Sequence, residues 1–281
     1  MTTLKLSVEV GNGTDTRCES ANAMSRPDPQ ALDLPPPPRL RAADVALFLD
    51  VDGTLLEIEH EPGAVHVPDE LCRVLEQLQA AAGGALALVS GRSLDQIDRL
   101  FSPLCLSAAG LHGLERRNLG SQVRRAAPDP AILAHARERL SAFAAATEGV
   151  LLEDKGLTLA LHYRNAPAAA GAALAVAEAA VAESGGALDL LRGKMVCELK
   201  PPGADKGQAI AAFMAEPPFA GRRPVFAGDD VTDEAGFATI NELGGISIRI
   251  GGASPTAATF GLRDVAAVQS WLLELLEAEA A

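Results

Sequence analysis

The chain has 281 residues, enough for one large domain or two modest ones, and its 48% apolar content supplies a core dominated by Ala, Leu and Val. A formal net charge of -13 and only 4% aromatic residues argue against a nucleic-acid surface, which needs Lys and Arg for phosphates and rings for base stacking. A small phosphorylated substrate stays open, because a local site can be basic inside an acidic protein.

The opening "MTTLKLSVEVGNGTD" lacks the apolar run of a signal peptide, and no stretch is long and apolar enough to span a bilayer. Cys18, Cys72, Cys105 and Cys197 are scattered without a CxxC pair, which predicts a reduced, cytoplasmic protein. Residues 1–40 are small, polar and proline-rich, with "LPPPP" at 34–38 reading as a stiff extended linker. This segment is expected to be a disordered or loosely attached tail.

From Asp44 onward, apolar runs alternate with helical stretches. "VALFLD", "ALALVS", "LCLSAAG", "PVFAGDD" and "GISIRIG" read as buried strands. Helices are predicted over Pro68 to Ala82, Ser93 to Leu100, Asp205 to Ala215, Val231 to Leu243 and the C-terminal "DVAAVQSWLLELLEAEA". That alternation predicts an α/β fold with a doubly wound, Rossmann-like parallel sheet, built from 41–117 and 200–281. Between the halves the pattern changes. Asp129 to Thr147 and Pro167 to Glu183 read as Ala-rich helices, each followed by a hairpin, "VLLEDKGLTLALHYR" and "ALDLLRGKMVCELK". In the first hairpin Leu157, Leu159, Leu161 and Tyr163 alternate with Thr158, Ala160, His162 and Arg164, a half-buried pattern. Helix-hairpin-helix-hairpin makes 118–199 an inserted α+β cap domain.

Ligands of an open parallel sheet bind at the carboxyl ends of its strands, and four polar clusters fall there. Asp50 and Asp52 follow "VALFL", Ser90, Gly91 and Arg92 follow "ALALV", Lys206 opens a helix, and Asp229, Asp230 and Asp233 follow "PVFAG". Two acids so close repel unless a cation offsets them, and Mg²⁺ takes carboxylates together with substrate phosphate oxygens. Asp50 is then placed to attack phosphorus, and Asp52 to protonate the leaving alkoxide and activate water. Gly53 would let the backbone turn sharply and bring amides near phosphate. Ser90 and Lys206 would offset charge on the equatorial oxygens.

"DVDGT", "SGR", the Lys of "ADKG" and "GDDVTDE" resemble the four ordered motifs of haloacid dehalogenase-like phosphatases. "GLHGLE", "EDKGLTLALHYR", "GKMVCELKPPGADKG" and "GDDVTDEAGF" look like the trehalose-6-phosphate phosphatase family in particular, from about residue 45 to the end. The resemblance implies Asp50 as nucleophile and Asp52 as general acid/base. It implies Gly53, Ser90, Gly91, Arg92 and Lys206 around the phosphate, and Mg²⁺ on Asp50, Asp229 and the backbone carbonyl of Asp52. Asp230 and Asp233 would stand behind these ligands. Glu153, Lys155, Lys194 and Glu198 match the cap motifs that recognise the sugar, while His112 and Arg164 either contact substrate or only brace their loops. The implied reaction releases trehalose and phosphate from trehalose 6-phosphate, and leaves room for functional pairing with a trehalose-phosphate synthase.

Three other readings compete. A receiver-like phospho-aspartate switch gathers similar acids but has no place for the insert. Phosphatases of sucrose-6-phosphate or mannosyl-phosphoglycerate share the fold, and "GKMVCELKP" favours the trehalose ester over them. An inactive sugar-phosphate binder would not need Asp50, Asp52, Lys206 and Asp229 together.

Overall fold

The computed structural model describes residues 34–58, 66–120, 122–125, 129–193, 195–252 and 255–280. The tail expected over 1–40 therefore lies mostly outside the described residues, as does Lys194. Among the described residues no helix is long and apolar enough to cross a membrane.

The first half of the core runs β1 (Val45–Leu49), α1 (Asp69–Ala81), β2 (Leu86–Val89), α2 (Leu94–Phe101), β3 (Ser107–Gly110), β4 (Glu115–Arg117) and β5 (Arg124–Arg125). The insert follows as α3 (Pro130–Ala146), β6 (Leu151–Asp154), β7 (Leu159–His162), α4 (Ala170–Glu183), β8 (Asp189–Gly193) and β9 (Val196–Lys200). The chain then returns as α5 (Lys206–Met214), β10 (Arg223–Gly228), α6 (Glu234–Glu242), β11 (Ile246–Ile250), β12 (Phe260–Leu262) and α7 (Val265–Ala280).

The large sheet has the order β12-β11-β10-β1-β2-β3-β4-β5, parallel except for the hairpin strands β4 and β5. Every residue of β1, β2 and β11 is buried, which is why these strands read as unbroken apolar runs rather than alternations. One face packs Val74 and Leu78 of α1 with Trp271 and Leu272 of α7; the other packs Phe48, Phe213, Phe226 and Phe237 against α5 and α6. Each such side chain contributes roughly 1.5–3 kcal/mol. The chain leaves β1 toward β2 on one side, while β10 lies on the other, so a crevice opens beyond the end of β1.

The small antiparallel sheet has the order β6-β7-β9-β8. Its own core joins Leu133 and Leu140 of α3, Ala173, Ala177 and Ala180 of α4, and Leu159, Leu161, Cys197 and Leu199 of the sheet. The half-buried alternation expected for β7 does not hold: Thr158, Leu159, Ala160 and Leu161 are all fully buried. β7 is flanked by β6 and β9 and packs against the cap helices, which covers these four residues, while His162 at its end stays partly exposed and lines a cavity. Past residue 118, the start expected for the insert, Arg124 and Arg125 pair with Arg116 and Glu115 in the large sheet.

Candidate active site

Asp50 ends the central strand, and its amide donates to the Ala227 carbonyl of β10 (3.0 Å). Its carboxylate is buried and accepts from Lys206 Nζ (2.7 Å), and more weakly from Thr54 Oγ1 (3.4 Å). Lys206 stands at the first turn of α5, whose N-terminus Asp205 caps through the Gln208 amide. Its ammonium also donates to Asp233 Oδ1 (2.6 Å), while Asp233 Oδ2 takes the amides of Asp229 (3.0 Å) and Asp230 (2.9 Å). Asp233 is wholly buried and thus fixes both the lysine and the loop that carries Asp229.

Carboxylate oxygens of Asp50, Asp229 and Asp233 come within 4.8 Å of one another. Both Asp233 oxygens are already engaged, whereas Asp229 Oδ1 is buried with no hydrogen-bond partner among the described residues. Burial, with Asp233 and Asp230 nearby, pushes the Asp229 carboxyl up to about 7 against the pull of Lys206. Burial likewise drives Asp50 well above the ordinary carboxylate value, Lys206 opposing and Asp233 and Asp229 reinforcing. Burial alone would lower Lys206, but its contacts with Asp233 and Asp50 outweigh that and raise it. One ammonium beside two buried carboxylates and a third that is partly buried leaves negative charge uncompensated, and an orphaned carboxylate oxygen beside the nucleophile candidate fits a hard divalent cation.

Gly53 lies at φ +85°, and a Cβ there would fall 2.1 Å from Asp229 Oδ2. Its amide donates to the Leu56 carbonyl (2.7 Å), and the missing side chain admits the Asp229 carboxylate. Ser90, at the end of β2, is buried with its hydroxyl accepting from the Arg92 amide (3.2 Å). Arg92 grips Asp52 with two bonds, Nε to Oδ2 (2.7 Å) and a terminal nitrogen to Oδ1 (2.6 Å). Sequence reasoning put Arg92 near phosphate; its planar fork here meets the carboxylate of Asp52, and Arg92 lines the cavity. Gly91 gives its carbonyl to Lys155 Nζ (3.0 Å) and leaves room for the His112 ring, 2.8 Å from where a Cβ would be.

The cap contributes a second charged cluster to the same crevice. Glu198 is buried and accepts from Thr158 Oγ1 (2.6 Å) and Lys155 Nζ (3.3 Å), and faces His112 Nε2 (3.4 Å). Burial would raise its pKa, but Lys155, His112 and Thr158 lower it. Glu153 pairs with His162 Nε2 (2.9 Å) and with Gln96 Nε2 (2.6 Å); these contacts and Lys155 overcome burial and lower its pKa to about 2. Asp50, Asp52, Ser90, Gly91, Arg92, Lys206, Asp229 and Asp230 line one cavity with Glu153, Lys155, Glu198, His112 and Arg164. Gln96, His162, Ile58, Leu191 and Val196 also line it and were not anticipated. For Gln96 a signal existed: Ser93 and Gln96 have the spacing of a capping box, and the structure forms one.

A parallel sheet whose central strand delivers a buried acid to a lysine and two further acids, under a small antiparallel cap, has the fold of a phosphatase of the haloalkanoate (HAD) enzyme superfamily from Bacteroides thetaiotaomicron, at a TM-score of 0.56 and 17% identity over 86% of this chain and 97% of that one. The fold is that of the trehalose-6-phosphate phosphatase C-terminal domain of Candida albicans, at a TM-score of 0.74 and 22% identity over 83% of this chain and 92% of that one. The sequence pattern of trehalose-phosphatases matches residues 48–266, and the chain belongs to that family. It is 49% identical over 216 residues to a "probable trehalose-phosphate phosphatase" of Sinorhizobium fredii, covering 77% of this chain and 81% of the relative. It is 45% identical over 231 residues to the trehalose-6-phosphate phosphatase of Escherichia coli, covering 82% and 86%.

Proposed function

We infer that the chain hydrolyses trehalose 6-phosphate to trehalose and inorganic phosphate through a phosphorylated Asp50. The observation that carries this reading is that the cap's Glu153, Lys155 and Glu198 line the same cavity as Asp50, Asp52, Ser90 and Lys206. Sugar hydroxyls need such donors and acceptors, and the second cluster has no use in a bare phosphoryl-transfer site.

Asp50 would attack phosphorus as the bond to the sugar oxygen breaks, and Asp52 would give that oxygen its proton. Asp52, held by Arg92, would next take a proton from water. The water oxygen would add to phosphorus, the bond to Asp50 would break, and phosphate would leave with the carboxylate restored. Ser90 and Lys206 would hold the transferring oxygens. Asp50, Asp229 and the Asp52 backbone carbonyl would hold Mg²⁺, which when bound supplies charge neutralisation to the carboxylates and the phosphoryl group. Asp233 would keep Lys206 and the Asp229 loop in place, while Glu153, Lys155, Lys194 and Glu198 would bind the disaccharide, with His112 and Arg164 beside it. The cap would exclude water other than the attacking molecule. Functional pairing with a trehalose-phosphate synthase, a source of the substrate, accompanies this reading.

The test is phosphate release from trehalose 6-phosphate, sucrose 6-phosphate, glucose 6-phosphate and a small aryl phosphate, with Mg²⁺ and with chelator, for the wild type and Asp50→Asn. We expect metal-dependent turnover that strongly favours the trehalose ester and vanishes in the variant. Even turnover across the panel would discard the substrate, and an active Asp50→Asn protein would discard the nucleophile.

A further inference from the structure

Gln96 sits on the core helix α2, yet it reaches across the crevice to the cap. Its side-chain oxygen accepts from the Ser93 amide (2.8 Å), and the Ser93 hydroxyl accepts from the Gln96 amide (3.2 Å). This capping box holds the side chain in one orientation, with its NH₂ group aimed at Glu153 Oε1 (2.6 Å) on β6. The other Glu153 oxygen is taken by His162 on β7. A capping box serves equally with Glu or Gln at this position. The contact with Glu153 does not: a carboxylate at residue 96 would face a carboxylate at hydrogen-bonding distance. The helix cap tolerates either residue, but only an amide can both close the cap box and donate across the crevice.

We propose that Gln96 is a positioning residue for the sugar half of the substrate, acting through Glu153: it seats β6 on α2 and sets the direction in which Glu153 presents its carboxylate. This deepens the trehalose 6-phosphate reading and rests on it for the identity of the sugar. Two further bridges cross the same seam, Lys155 to the Gly91 carbonyl and His112 to Glu198. Both end on groups next to the phosphate pocket. The Gln96 bridge ties the cap to a helix residue with no expected part in the chemistry, so it can be changed without touching a reacting group.

Gln96→Glu separates the two duties of the side chain. The capping box survives, and a negative charge in the first turn of α2 suits the helix dipole, so the melting temperature should hold. Repulsion from Glu153 should raise KM for trehalose 6-phosphate about tenfold or more while kcat changes little, because sugar contacts are made equally in ground and transition states. Turnover of a small aryl phosphate, which does not reach Glu153, should change by no more than about twofold. Adding Glu153→Gln should reverse the defect relative to Glu153→Gln alone, since an amide at position 153 can donate to a carboxylate at 96 while accepting from His162. The substrate-free protein gives an independent reading by small-angle scattering: Gln96→Glu should be more expanded than the wild type, and the double variant compact again. Equal losses on both substrates, no loss on either, or a defect that simply adds to that of Glu153→Gln would overturn the proposal. If the wild type shows no preference for trehalose 6-phosphate, the substrate reading fails by itself, and the scattering series alone decides whether Gln96 seats the cap.

Discussion

Gly53 lacks a side chain because the Asp229 carboxylate occupies the space where one would stand, 2.1 Å from an ideal Cβ. The dihedral φ of +85° adds a strain that an L-residue would also have to bear. Gly53→Ala should therefore displace the Asp229 carboxylate from its place beside Asp50 rather than unfold the sheet, and turnover should fall about a hundredfold or more for a shift of about an ångström. Phosphate release measured beside a thermal melt checks this; activity within a few-fold of wild type would mean that the Asp229 carboxylate need not stand where it does. The acids themselves were legible from sequence, because a strand ending in DVDGT poses its charge problem openly. The partner of each acid was not. Arg92 follows Ser90 and Gly91 in a run that reads as a phosphate loop, but its side chain turns to Asp52, 40 residues earlier. No local pattern encodes that choice, which depends on how β1 and β2 lie side by side.

At the scale of elements, burial decided what could be read. β1, β2, β10 and β11 are covered on both faces and announce themselves as apolar runs. β4 and β5, "ERR" and "RR", carry no such signal, and pair only because the preceding strand offers them an edge. β6 is itself an edge strand with Leu151 exposed, held by one neighbour, β7. Its Glu153 is consequently important to the hairpin. The carboxylate faces His162, Lys155 and Gln96, and its pKa of about 2 lies below the ordinary glutamate value of 4.5. A depressed pKa gives stability that is fully present above about pH 4.5 and is lost as pH falls toward 2, here on the order of 3 kcal/mol before solvent screening reduces it. Glu153→Gln removes that titration. The stability gap between wild type and variant should hold steady above about pH 5 and narrow toward pH 2, as read by denaturant unfolding across the range. A gap that stays constant down to pH 2 would show that Glu153 does not titrate with folding.

At the scale of the molecule, the apolar clusters on the two faces of the large sheet are separate from the cluster of the cap, which closes on itself through α3, α4 and the small sheet. Among the side-chain bonds described, those that join cap to core at the crevice are polar: Gln96 to Glu153, Lys155 to the Gly91 carbonyl, and His112 to Glu198. Bodies with their own cores and a polar seam unfold as units only if something couples them. Substrate is the natural coupler, since under the proposed function its phosphate would meet Lys206 and Ser90 of the core and its sugar Glu153, Lys155 and Glu198 of the cap, all of which line one cavity. Asp50→Asn protein should bind the ester without consuming it. Denaturant unfolding of that variant without ligand should resolve two transitions by separate probes, with the lone Trp271 reporting the core and far-ultraviolet circular dichroism reporting both bodies. With Mg²⁺ and trehalose 6-phosphate at about 100 times Kd, the ligand should add about 2.7 kcal/mol and draw the two transitions together. Inorganic phosphate would engage only the core side of the seam, so it should raise the core transition and leave the cap transition where it was. Coincident transitions already present in the free protein would mean that the polar seam alone couples the two bodies, and substrate would then have no folding equilibrium to join.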